Sequence, residues 1–157
     1  MEPKVYVTRL LPEMALDQIN SLCDAAENWF EIFKGLPSGF GFPMAAHPQE
    51  SETFCVVPER GDFFRVAANR DFSVYETSNV GRTWKKLNNG LPTKNAHLGC
   101  HREGSATDHL ETVGLYVGTR MGQLFSSVNE RKSWQLSAMA TADLLRLSSY
   151  GYVIIGS

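Results

Sequence analysis

The residues of this chain best placed to do chemistry fall in two stretches. His97 to His109, HLGCHREGSATDH, gathers His97, Cys100, His101, Asp108 and His109, a set of nitrogen, sulfur and oxygen donors of the kind zinc accepts. Spacing argues against a metal. On a helix His97 and His101 would share a face, but the flanking pattern is loop and strand. On a strand, residues four apart lie about 13 Å from each other, too far for one ion. No C-x-x-C or H-E-x-x-H anchors the set, so it is expected to be a solvated loop between strands, and no metal site is assigned. The second stretch, PERGDFFRV, sets Glu59 and Asp62 beside Arg65. Paired carboxylates can serve acid–base chemistry, but a charged hairpin turn accounts for these without it. No Ser-His-Asp or Cys-His pair, phosphate-binding glycine loop or basic aromatic stripe is visible; catalytic residues are therefore unknown and no cofactor is expected.

The composition bounds what must position these groups. A chain of 157 residues with 20% charged and 43% hydrophobic residues can bury one sizeable core. A formal net charge of -2 gives no basic footprint for nucleic acid and no polybasic patch for a membrane surface, so neither partner is expected. Nine Phe, five Tyr, three Trp and thirteen Gly lean towards β structure. Cys23, Cys55 and Cys100 are odd in number and widely spaced, which fits buried thiols in a reducing compartment. The opening MEPKVYVTRLLPEM has no long apolar region of a signal peptide, and no window approaches a membrane span; the expected location is the cytoplasm.

One helix signal stands near the start. Lys4–Leu11 is β-rich, and after Pro12 the residues Ala15, Leu16, Ile19, Leu22, Cys23 and Ala26 recur at helical spacing. Beyond Asn28 short β-type runs take over: Phe54–Val57, Phe63–Val66, Phe72–Glu76, Leu115–Gly118, Leu124–Ser127 and Tyr152–Ile155, punctuated by Gly and Pro. Phe40, Phe42, Phe54, Phe63, Phe64 and Phe72 are expected to fill the layers between sheets, because aromatics in alternating β runs are usually core.

A repeat organises these runs. Trp29, Trp84 and Trp134 recur about every 50 residues, the period of a four-stranded propeller blade. WFEIFKGLP and WKKLNNGLP fit W-x-x-[IL]-x-x-G-L-P without a gap. Thr77, Asn79, Thr83, Trp84 and then Ser127, Asn129, Ser133, Trp134 fit [ST]-x-N-x-x-x-[ST]-W, with Gly81 at the fifth position of the first copy. This pattern resembles the Asp-box, or bacterial neuraminidase repeat, of sialidase-like and sortilin-like β-propellers. The resemblance covers roughly residues 28–139 and implies a hairpin between the third and fourth strands of each blade, structural rather than catalytic. The amide side chain can hold backbone N–H groups, glycine supplies a positive φ, and the indole packs between strands. Both copies carry Asn where the family prefers Asp, and Arg131 replaces the glycine of the last copy, so that turn either changes type or bears strain. Asp24, Ala26, Asn28 and Trp29 could be a decayed box, but they also end the expected helix.

Residues 2–26 resemble something else, the amino terminus of D-2-hydroxyacid dehydrogenases of the glyoxylate-reductase type, with a K-V-x-[VI]-T-R strand and a P-E-x-x-[LI] helix. No G-x-G-x-x-G follows, so no dinucleotide site is expected. The resulting expectation is a mainly β chain: a βα element over 1–27, then a partial β-propeller of about three blades over 28–157. Its leading function is a non-catalytic binding or scaffold module for a protein or carbohydrate ligand. The alternative that the resemblance implies is a sialidase-like glycoside hydrolase or its remnant, needing three arginines on a carboxylate, a Tyr–Glu nucleophile pair and an acid Asp; FFRV at Phe63–Val66 only faintly echoes its arginine context. Bare blade faces would favour a homo-oligomer that completes the ring.

Overall fold

The computed structural model describes residues 32–41, 43–61, 63–139, 144–147 and 153–155, the last two stretches as backbone. The expected strand at 4–11, the helix after Pro12, Cys23, Trp29, Phe42 and Asp62 lie outside the described residues. The remainder is mainly β. β1 (Met44–Ala46), β2 (Phe54–Val56), β3 (Val74–Thr77) and β4 (Lys85–Leu87) form one sheet; β5 (Cys100–Thr107), β6 (Leu115–Thr119), β7 (Gln123–Ser127) and β8 (Gln135–Met139) form a second. In each sheet the strands follow chain order and every neighbouring pair is antiparallel. β9 (Leu144–Leu147) and β10 (Val153–Ile155) add an antiparallel hairpin. Two successive four-stranded meanders make a propeller-like arrangement, with β1, β5 and β9, the first strand of each unit, packed in series.

These residues form strands because their partners bury one face. Val74 and Val117 are almost wholly enclosed, and Val117 stands opposite Phe125 in the register of β6 and β7. The layer between the sheets is filled by Phe72, Val57, Leu87 and Leu91 from one side and Cys100, Leu115, Phe125 and Trp134 from the other. Phe72 has no exposed surface and meets Phe125 at a centroid distance of 5.7 Å, an arrangement aromatic rings favour. Enclosing such a side chain contributes about 2–3 kcal/mol, so this seam carries much of the stability. Among the described residues no helix is long and apolar enough to cross a membrane.

Two expectations fail. Phe63–Val66 is not a strand: Val66 N–H donates to the Phe64 carbonyl at 2.7 Å and Arg60 N–H to the Val66 carbonyl at 2.8 Å, closing a tight loop. Phe63 is 96% and Phe64 63% exposed, so neither fills a layer between sheets. Cys100–Thr107 is a strand, not a solvated loop, because β6 pairs with it at Cys100 and again over Ser105–Thr107, and an irregularity between Cys100 and Ser105 takes up the surplus polar residues. No apolar run marks β1, β4 or β8, which are short or polar; β4 and β8 are the fourth strands that the repeat resemblance implies.

The G-L-P motif also has a structural meaning. Leu36 N–H donates to the Phe33 carbonyl at 2.9 Å and Leu91 N–H to the Asn88 carbonyl at 3.0 Å, so residues 33–36 and 88–91 make the same turn. Its glycine takes φ 99° at Gly35 and 93° at Gly90. The first turn lies against Trp84 and the second against Trp134, whose N–H donates to the Asn89 carbonyl at 2.8 Å. A Cβ on Gly90 would overlap the Trp134 carbonyl oxygen, whereas one on Gly35 would stand 3.7 Å from Trp84 Cδ1. Gly35→Ala should therefore cost only the left-handed penalty of about 1 kcal/mol, and Gly90→Ala more than about 2 kcal/mol, compared by urea unfolding. Equal losses would mean that the Trp134 contact does not set the tolerance at Gly90.

Candidate functional site

The repeated polar residues come together as two matching hairpins, one between β3 and β4 and one between β7 and β8. In the first, Asn79 Oδ1 accepts the Thr83 N–H at 2.9 Å while Asn79 Nδ2 donates to Thr83 Oγ1 at 2.8 Å. Thr77 Oγ1 accepts the Gly81 N–H at 2.8 Å. In the second, Asn129 Oδ1 accepts the Ser133 N–H at 3.1 Å, Asn129 Nδ2 donates to Ser133 Oγ at 2.8 Å, and Ser127 Oγ donates to Asn129 Oδ1 at 3.4 Å. Both turns place two consecutive residues at positive φ: Val80 and Gly81 at 56° and 78°, Glu130 and Arg131 at 57° and 61°. The turn type therefore survives the loss of glycine, and Arg131 bears the strain. Trp84 donates through Nε1 to the Ile32 carbonyl at 2.7 Å and meets Phe54 edge-on; Trp134 is buried, its Nε1 unpartnered among the described residues.

Arg131 obtains something glycine could not give. Its Nε donates to Glu76 Oε2 on β3 at 2.6 Å, with both side chains largely shielded, so the second hairpin is tied to the first sheet. Arg131→Ala and Arg131→Gly should both lose that pair, at about 1.5–3 kcal/mol. The glycine variant should be the more stable of the two by about 1 kcal/mol in urea unfolding, because it alone relieves the left-handed turn. An alanine variant as stable as the glycine variant would remove strain at 131 from the account.

A different end of the sheets carries exposed aromatic and basic side chains. The β2–β3 connection, the β6–β7 turn and the last part of the β4–β5 link converge there: Ala67 N–H donates to the Leu98 carbonyl at 2.7 Å and Arg120 N–H to the Gly99 carbonyl at 2.8 Å. Gly99 itself packs against the Arg65 carbonyl. The loop Arg60–Val66, closed at its base, projects Phe63 and Phe64 into solvent, with the Arg60 guanidinium 5.2 Å above the Phe64 ring. Met121, 69% exposed, and exposed Arg120 stand on the β6–β7 turn. Arg60 and Arg120 are sixty positions apart, so no local motif announced the surface. The FF pair between Gly61 and Arg65 was the one signal, and its β-type composition suggested a buried strand instead.

Glu59 anchors this loop from below. Its carboxyl is 0% exposed; Oε1 accepts the Cys100 N–H at 2.7 Å and Oε2 has no partner among the described residues. Burial raises its pKa, an effect the Cys100 N–H and the Arg65 and Arg120 charges only partly offset. A raised folded-state value means that the folded protein keeps the proton to higher pH than the unfolded chain, so stability falls as pH rises from the ordinary carboxylate range through that value. Glu59→Gln retains the acceptor and supplies a permanent donor. Its unfolding free energy relative to wild type should grow from pH 5 to pH 8; a constant difference would mean that Glu59 titrates as it does in the unfolded chain.

The His97–His109 set is dispersed: His97 and His109 are exposed, Cys100 is enclosed, and Asp108 is engaged by the Gly114 N–H at 2.8 Å and the Tyr116 hydroxyl at 2.8 Å. Among the described residues no three His, Cys, Asp or Glu side chains are grouped to hold a metal. Cys55 and Cys100 are free, buried thiols whose pKa values burial pushes up.

No protein-family model matches the sequence, and no curated protein matches it significantly. Among solved structures, the chain is similar to the Niastella koreensis GH74 enzyme, with a TM-score of 0.46 and 18% identity over 64% of this chain and 14% of that one. The match thus spans a small part of that structure's length, and the likeness is too loose to bring an activity with it.

Proposed function

We propose that this chain is a non-catalytic binding module built from Asp-box propeller blades, and that the end bearing Arg60, Phe63, Phe64, Arg120 and Met121 is its contact surface for a carbohydrate or protein ligand. The observation that carries this reading is Phe63, 96% exposed beside a second exposed phenylalanine on a loop that main-chain bonds hold shut. Large apolar rings in water are a standing cost unless a partner covers them. A flat ring beside a guanidinium suits the face of a sugar or an aromatic or acidic peptide segment. The box residues Thr77, Asn79, Gly81, Thr83, Trp84, Ser127, Asn129, Ser133 and Trp134 would, on this reading, shape the fold and touch no ligand.

The hydrolase alternative draws on Glu59, whose proton affinity is raised beside two arginines, as a general acid requires. Its carboxyl is wholly enclosed, which favours an anchoring role. Native gel electrophoresis through a panel of polysaccharides, with a fluorogenic sialoside assay alongside, tests the choice. Retardation by at least one polymer, relieved about fivefold or more in Phe63→Ala, is expected from the loss of a stacking ring, with no turnover. Sialoside turnover abolished by Arg120→Ala would overturn the binding reading.

A further inference from the structure

The β1–β2 turn sits against the first hairpin, and its closure depends on an imidazole. His47 is 6% exposed, and its Nδ1 lies 3.1 Å from the Glu50 nitrogen and 3.3 Å from the Gln49 nitrogen. A backbone N–H can only donate, so Nδ1 must be the bare nitrogen and the ring must be neutral in this structure. The turn that it closes is otherwise held by the His47 N–H on the Thr53 carbonyl, 2.9 Å, and the Thr53 N–H on the Glu50 carbonyl, 3.0 Å. From the same turn, the Glu52 carbonyl accepts the Val80 N–H at 3.1 Å, bracing the left-handed corner of the hairpin.

We propose that His47 is an acid-operated latch: neutral, its Nδ1 holds the β1–β2 turn shut through the Gln49 and Glu50 amides, and protonation opens that turn and removes the brace on Val80. Placing a proton on Nδ1 would set N–H against two N–H groups in a site with almost no water to rescue them. The charged groups that face the ring decide the rest. Glu50 on the same turn and Glu76 on β3 favour the imidazolium, while Arg131 from the second hairpin opposes it. Glu76 is already engaged by Arg131 at 2.6 Å, which reduces what it can offer His47. Burial is the largest influence, and the balance lowers the pKa from the ordinary imidazole range. With the folded value depressed, the unfolded chain binds the proton first, so the latch contributes fully above the unfolded pKa of about 6.5 and is lost as pH falls through the folded value. Glu59 acts in the opposite sense, so the two limbs of the pH profile are separable. The proposal does not depend on what the loop end binds.

Amide exchange by NMR on the whole chain tests it. As pH falls from the unfolded pKa of about 6.5 towards the folded pKa of His47, protection at Gln49, Glu50 and Val80 should fall by up to about tenfold per pH unit beyond the change in intrinsic exchange and level off below it, while Val117 in β6 stays protected. His47→Asn, whose Oδ1 can accept in place of Nδ1 but does not titrate, should abolish that fall. Unchanged protection through the titration of His47, or the same fall in His47→Asn, would overturn the latch. The His47 ring signals give a check that needs no variant: they should titrate below the ordinary imidazole value of about 6.5, and titration at or above that value would also overturn it.

Discussion

The main-chain contact between the Asn88–Leu91 turn and Trp134 is the constraint on which the rest depends. One sheet alone would present Phe72, Val57 and Leu87 to water; the second covers them only if it approaches closely along their whole length. That approach is fixed where the Trp134 N–H meets the Asn89 carbonyl and where the bare Cα of Gly90 accepts the Trp134 carbonyl against it. A related but looser contact recurs one step earlier, where the 33–36 turn lies beside the Trp84 ring and the Ile32 carbonyl accepts its indole N–H. A repeated joint explains a repeated sequence: each unit carries a turn for its successor and a tryptophan for its predecessor.

The hairpins show how strain is carried at such a joint. Two consecutive residues at positive φ turn the corner of each seven-residue connection, and at Val80 and Arg131 a non-glycine side chain is held where glycine is cheaper. Asn79 and Asn129 hold the corner from inside, each closing a two-way exchange with the hydroxyl residue four positions on. The second hairpin adds an ion pair across the seam, so a position that lost its easy turn residue gained a tie to the neighbouring sheet. Strain and attachment sit at one residue.

The joints between sheets and the exposed aromatic loop are kept apart. The hairpins and their tryptophans lie at the seam, while the exposed phenylalanines rise from the long β2–β3 connection, which is rooted by a buried carboxyl on the Cys100 N–H. Glu59 is costly to bury, and Oε2 receives nothing in return from the described residues. What it achieves is positional: it fixes the base of one sheet's loop to the first strand of the next, so that Arg60 and Phe64 are presented on a firm support.

Much of the architecture was legible along the chain, because a hairpin clasp is local. Thr77 to Trp84 spans eight residues, and its hydrogen bonds reach no more than four positions, so spacing alone was enough to locate the corner and the strands that enter it. The G-L-P turn was visible as a pattern, but its purpose was not, since Gly90 and Trp134 meet only after the two sheets stack. The loop surface was hidden for the same reason. Phe63 and Phe64 sit in an apolar β-type run like those of core strands, yet here they face solvent; Arg120 joins them because Gly99 lies between two loops that are distant in sequence. What the sequence determined by itself was the set of short-range turns and the period at which they return. What the tertiary structure decided was burial, because whether a side chain meets solvent depends on the neighbour that arrives from tens of residues away, and no local spacing encodes that arrival.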